Sequence, residues 1–189
     1  MLTATYSLVA MATEQTRACS ILNSTRAAID TLWDNVQEDD LARLETALQR
    51  LTRFEQYCHQ RKVEKFVIPA VRGASHEIDA IVGDLDSLSN VGMHFLNRAA
   101  EQWRMMFDRR AQRMTALCGA MESYCDCLQQ RLRKEEEELL PLVRRILSMD
   151  DWFALAAQFL GDERIAHRVA PPEDTAVTTA PYPLHLRRT

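Results

Sequence analysis

Two stretches gather the residue types that could do chemistry in this chain. They are "HQRKVEKFVIPAV", from His59 to Val71, and "RLRKEEEELLPLV", from Arg131 to Val143. A histidine and a glutamate one helical turn apart can reach one metal centre, which is how sites in helical-bundle cores are built. Set on Pro69 and Pro141, the stretches match His59 with Arg131, Val63 with Glu135, and Glu64 with Glu136. Neither stretch keeps a His and a Glu four residues apart. In the second, Glu135 falls in step with an apolar stripe and Arg131 precedes it by one turn. A guanidinium stays charged and cannot ligate a metal. At this spacing it can form a helix ion pair with Glu135. Breaking such a pair, if buried, can cost about 3–5 kcal/mol. Glu136, Glu137 and Glu138 read as solvated, within reach of Arg133, Lys134 and Arg144.

Other chemistries find little support. No Gly-rich phosphate loop, nucleophile elbow or zinc-finger spacing occurs, so an enzyme is not expected. Cys58 and His59 are neighbours on a helix, diverge by about 100°, and do not form a dyad. "CDC" places Cys125 and Cys127 on nearly opposite helix sides, one for packing and one for exposure. His94, His167 and His185 have no partner at ligand spacing. The five cysteines cannot all pair among themselves, which favours a reduced, cytoplasmic setting. The net charge of −4, with basic residues scattered among acids, gives no case for nucleic-acid binding. No run reaches the roughly 18 apolar residues of a membrane span. Lys and Arg are missing before Arg17, so a signal peptide is not expected.

The elements that must position these residues are long helices. The chain has 189 residues and only five glycines, and four of its six prolines lie after residue 170. Apolar spacing predicts helices at about 12–36, 40–71, 75–108 and 111–148. The first carries Ile21, Thr25, Ala28 and Leu32. The second carries Leu44, Leu48, Leu51, Cys58, Val63 and Phe66, with Pro69 near its end. The third runs from Ile78 through Leu85, Gly92 and Ala99 to Met106, and "SNVG" at 89–92 could bend it. The fourth has the most regular heptads, Met114, Met121, Leu128, Glu135, Leu142 and Cys118, Cys125, Leu132, Leu139, Ile146. Turns are expected at 37–40, with Asp39 or Asp40 as cap, at 72–75, with Ser75 as cap, and at "FDRR". A short helix is expected at 150–160. The fold class is therefore all-α, an up-down-up-down four-helix bundle with a short extra C-terminal helix. Residues 1–162 form the bundle and 163–189 a Pro-rich, flexible tail.

The paired stretches, together with "MDDWFALAAQF" after the last long helix, resemble the hemerythrin-like (HHE cation-binding) family over about residues 20–160. Its phrase is His, three residues, Glu-Glu, then apolar residues and Pro. The resemblance implies a di-iron centre held by six bundle residues, a His from the first helix, a His and a Glu from the second, a His from the third, and a His and a Glu from the fourth. Carried over singly, it puts Thr25 at the first-helix position, His59 with Val63 on the second, and Arg131 with Glu135 on the fourth. "HEIDAI" is similar to the third-helix phrase and would make His76 a ligand. Yet His76 lies just after the turn and two residues from Ile78, turned from the stripe. The implied site is thus degenerate, lined by Thr25, Val63 and Arg131, with His59, Glu135, His76 and Glu64 as what remains for a metal.

A second likeness is to the Rsd/AlgQ sigma-factor regulators. It rests on His59 and Glu64 five apart and on Arg131, Leu132, Glu135 and Glu136. Three functions follow. The first is a regulatory or binding module with an eroded iron site, no cofactor and a protein partner. The second is a non-haem iron protein handling oxygen or nitric oxide. The third is a sigma-factor-binding regulator. A homo-oligomer is compatible with each.

Overall fold

A computed structural model describes residues 2–33, 40–106 and 110–169, with side chains described for 4–32, 41–106 and 112–164. All of its regular structure is helical, and no strand occurs among the described residues. The chain runs through α1 (Leu2–Trp33), α2 (Asp40–Gln60), a π turn (Val63–Val67) and α3 (Ile68–Val71). It continues through α4 (His76–Arg104), α5 (Arg110–Lys134), a second π turn (Glu135–Leu139), α6 (Leu140–Ile146) and α7 (Met149–Val169). α4 packs most extensively on α5, α1 packs on α2, α5 and α7, and α2 also meets α4. The turns expected at 37–40 and at "FDRR" and the tail from 170 onward lie outside, or almost wholly outside, the described residues.

Each π turn is followed by one residue and then a proline, which supplies a local disturbance. Proline lacks an N–H, and its ring presses on the carbonyl four residues back. Widening the preceding turn relieves both problems. In each case the residue before the proline donates five residues back, Ile68 N–H to the Val63 carbonyl and Leu140 N–H to the Glu135 carbonyl. The helical backbone therefore continues past Pro69 to Val71 and past Pro141 to Ile146.

Two elements differ from the sequence reading. α1 begins at Leu2 rather than near 12, because Ser7 and Met11 are buried and this end of α1 packs on α7. Tertiary burial outweighs the modest helix propensity of its Thr and Val residues. The buried stripe further along is Ala18, Leu22, Thr25, Ile29 and Leu32, while Ile21 and Ala28 are only half-buried. α7 is 21 residues long, not eleven, so positions 163–169 of the expected tail are helical. Its start is a reciprocal cap in which Ser148 Oγ accepts from Asp151 N–H and Asp151 Oδ2 accepts from Ser148 N–H.

α4 has the cap expected at Ser75, whose Oγ accepts the Ile78 N–H at 3.2 Å. Gly73, at φ +82°, makes the turn before it. α4 runs unbroken through Ser89–Gly92. A β-carbon at Gly92 would lie 2.8 Å from Leu128 Cδ2, so the glycine lets α5 come close. On the fourth long helix both heptad positions are buried except Ile146, which is 39% exposed.

The apolar core is split in two. One cluster spans Ala18–Leu32, Leu44–Cys58, Leu96–Met106 and Met114–Leu132. The other joins Met11, Val63–Val71, Ile78–Leu85, Leu139–Val143 and Trp152–Phe159. On α1 the boundary falls at Gln15, after α2 at Arg61, and at Arg131 in α5 with Glu135 at the start of the second π turn. All four side chains are buried. A charged layer thus crosses the molecule between two apolar halves.

Candidate functional site

Glu135 is the centre of that layer and is fully buried. Arg61, also fully buried, grips it with both terminal nitrogens, Nη1 to Oε1 at 3.3 Å and Nη2 to Oε2 at 2.7 Å. Arg131 donates through Nη1 to Glu135 Oε1 and through Nη2 to Glu64 Oε1. Gln15 completes the layer from α1. Its Oε1 accepts from Arg61 Nη2, and its Nε2 donates to the Leu132 carbonyl at 2.7 Å. Two guanidinium groups and two carboxylates balance in charge. Burial works against the charge on Arg61 and on Arg131. Glu135 outweighs it in both, with Glu64 adding to Arg131, and holds each guanidinium above its ordinary pKa. The Nε atoms of both arginines are buried without a partner, a cost of about 1–3 kcal/mol for each such group.

A second shell of charge lies against α1 and α7. The helix tightens at Arg61, whose N–H donates to the Cys58 carbonyl three residues back. The next N–H, of Lys62, leaves the helix and donates to Glu14 Oε2 at 2.7 Å. Lys62 Nζ reaches Glu14 at 3.0 Å and Glu163 at 3.3 Å, and Tyr6 Oη donates to Glu163 at 3.0 Å. Burial disfavours the Lys62 charge, but Glu14 and Glu163 raise its pKa above the ordinary value. Lys65 pairs with Asp162. Across the layer, Tyr124 Oη donates to Glu55 Oε2 at 2.6 Å, and burial with that carboxylate pushes the phenol far up.

The residues expected from sequence are distributed as follows. Arg131, Glu135 and Glu64 meet in one network. Val63 is fully buried beside it in the second apolar cluster. Thr25 is buried with its hydroxyl donating to the Ile21 carbonyl at 2.9 Å, within its own helix. His59 has a side chain 62% exposed and pairs at 3.2 Å with Glu55, away from Glu135's carboxylate. His76 is exposed at the first residue of α4. Of the acidic run, Glu137 lies 3.8 Å from Arg133 and Glu138 2.9 Å from Lys134, all at the surface or its edge. No three His, Cys, Asp or Glu side chains come together as metal ligands among the described residues.

Arg61 and Gln15 were not singled out from sequence. A signal for Arg61 was present. Leu44, Leu48, Leu51, Phe54, Cys58 and Arg61 follow one another at three- and four-residue steps, the same register that marks Glu135. Gln15 likewise stands between Met11 and Ala18 on the buried face of α1.

Cys58, Cys118 and Cys125 are buried, Cys19 and Cys127 half-buried, and none is bonded to another. Burial pushes the Cys58 and Cys125 thiols up to about 12. They are packing groups rather than nucleophiles at neutral pH. Among the described residues no helix is long and apolar enough to cross a membrane.

Compared with known proteins, the chain matches no family model, no curated protein and no solved structure.

Proposed function

We propose that this chain is an up-down-up-down four-helix bundle of the hemerythrin-like kind in which a salt-bridge layer stands in place of the metal centre, and that it acts as a non-enzymatic binding or regulatory module. The four long helices would be α1, α2 with α3, α4, and α5 with α6, and α7 the addition. One observation carries the reading. The carboxylate at the ligand register, Glu135, has both oxygens taken by guanidinium groups. Two fixed cations at that carboxylate would repel a metal dication, and neither can ligate it. The residues at this centre do not fit a di-iron group, and His59 and His76 point to water instead.

Metal analysis of protein purified without oxygen tests this. Iron, zinc and manganese are expected well below one ion per chain, and unchanged in His59→Ala. Near-stoichiometric iron that falls away in His59→Ala or Glu64→Ala would overturn the reading in favour of an iron protein with a reduced ligand set.

A further inference from the structure

We propose that the outward face of α7 is a self-complementary docking surface for a second copy of this chain. α7 carries two seams. The inner one, Trp152, Leu155 and Phe159, is buried in the second apolar cluster. The outer one is Asp150, Phe153, Ala157, Leu160 and Arg164, at steps of three, four, three and four, and every member is exposed. Phe153 is 65% exposed and Leu160 49%, with Met149 beside them at 57%. A three-four repeat is the spacing that keeps one seam of a helix against a partner helix.

The chemistry of the seam selects the partner and its direction. It is acidic at the start, apolar in the middle and basic at the end. An antiparallel copy centred on Ala157 would set Asp150 against the copy's Arg164, Phe153 against its Leu160, and Ala157 against its Ala157. The small residue falls where the two helices cross. This is the self-matching pattern of a two-fold interface, in which each pair occurs twice. A parallel copy would oppose Asp150 to Asp150 and Arg164 to Arg164, which is unfavourable. The acidic start, Asp150 with Asp151, also argues against an anionic lipid surface as occupant. This inference does not rest on the salt-bridge layer or on the reading given to it.

Sedimentation velocity of the full chain across micromolar to sub-millimolar concentrations tests it. A reversible dimer is expected, and Phe153→Asp should leave a folded monomer whose circular-dichroism melt matches that of the unaltered chain at concentrations below the dimer's dissociation constant. Asp150→Arg should weaken the dimer at least about tenfold, since two pairs become repulsive. Adding Arg164→Asp should return the affinity to near that of the unaltered chain. A chain that stays monomeric throughout would overturn the proposal. So would a dimer indifferent to Phe153→Asp, or a double charge swap no better than the single one.

Discussion

Glu135 is held by its partners rather than by water, and that decides how each change around it should behave. Removing the carboxylate leaves Arg61 and Arg131 buried, charged and facing each other, with only Glu64 to balance them. Losing one member of a buried charge network costs about 3–5 kcal/mol, because the remaining charge is uncompensated. Glu135→Ala should therefore lower the unfolding free energy by that amount in urea denaturation. Replacing all four charged members together, Arg61→Met, Arg131→Met, Glu135→Leu and Glu64→Gln, removes the desolvation cost along with the attraction. It also removes two Nε atoms that lack partners. The quadruple variant should equal or exceed the stability of the original chain, less the loss of the Arg61 donor to Gln15 Oε1. A loss below about 1 kcal/mol in Glu135→Ala would mean that water screens the layer, as in a surface pair.

At the scale of helices, backbone spacing matters as much as side-chain chemistry, and two glycines make the point. Gly92 faces Leu128 so closely that an added β-carbon would meet it at 2.8 Å, whereas a β-carbon at Gly119 meets nothing within 4 Å. Gly92→Ala must displace the Leu128 Cδ2 methyl, so overpacking of about 1–3 kcal/mol is set against a propensity gain of up to about 1 kcal/mol. Gly119→Ala should gain up to about 1 kcal/mol from helix propensity alone. Thermal melts of the two variants should shift in opposite directions. If both shift upward, α4 and α5 have room to separate and the close approach is not fixed. These helices were largely legible in the sequence, since their apolar residues repeat at three and four and Ser75 marks a start. What was not legible arose from contacts between distant segments. The first ten residues of α1 mix strong helix formers with Thr, Ser, Tyr and Val, and lie helical against α7. The far end of α7 passes a glycine and a charged run, "GDER", which reads as a stop. There Asp162 and Glu163 are tied to Lys65 and Lys62 a hundred residues away. The π turns were hidden for a related reason. Pro69 and Pro141 announce a disturbance, but whether a helix ends there or widens depends on packing beyond it. For the site, Glu135 and Arg131 were visible as charged residues in a core register. Their distribution of partners was not, because Arg61, Gln15 and Glu64 come from other helices.

For the whole molecule, burial of neutral groups sets a direction for its response to alkali. Cys58 and Cys125 have thiols raised from the ordinary value of 9.0 to about 12. The cause is chiefly loss of water around them, and Tyr124 is raised for the same reason. In the unfolded chain these thiols lose their protons near pH 9. In the folded chain they keep them until about pH 12. Above pH 9 the unfolded state therefore binds fewer protons than the folded state, and stability falls as pH rises. The loss should be absent below pH 9, grow through the window between 9 and 12, and amount to about 2 kcal/mol per thiol at pH 10.5. Lys62 acts in the same direction at higher pH. Its raised value contributes stability that is whole below 10.5 and is lost as pH passes the folded-state value. Urea denaturation at intervals from pH 7 to pH 11 would follow this decline. A Cys58→Ala, Cys125→Ala variant separates the thiols from everything else. It should start less stable at pH 7, because cavities open in the first apolar cluster, yet lose clearly less between pH 9 and 10.5. Equal slopes in the variant and the original chain would show that these thiols are reached by water. The first apolar cluster around Cys58 and Cys125 would then be looser than the burial of both residues implies.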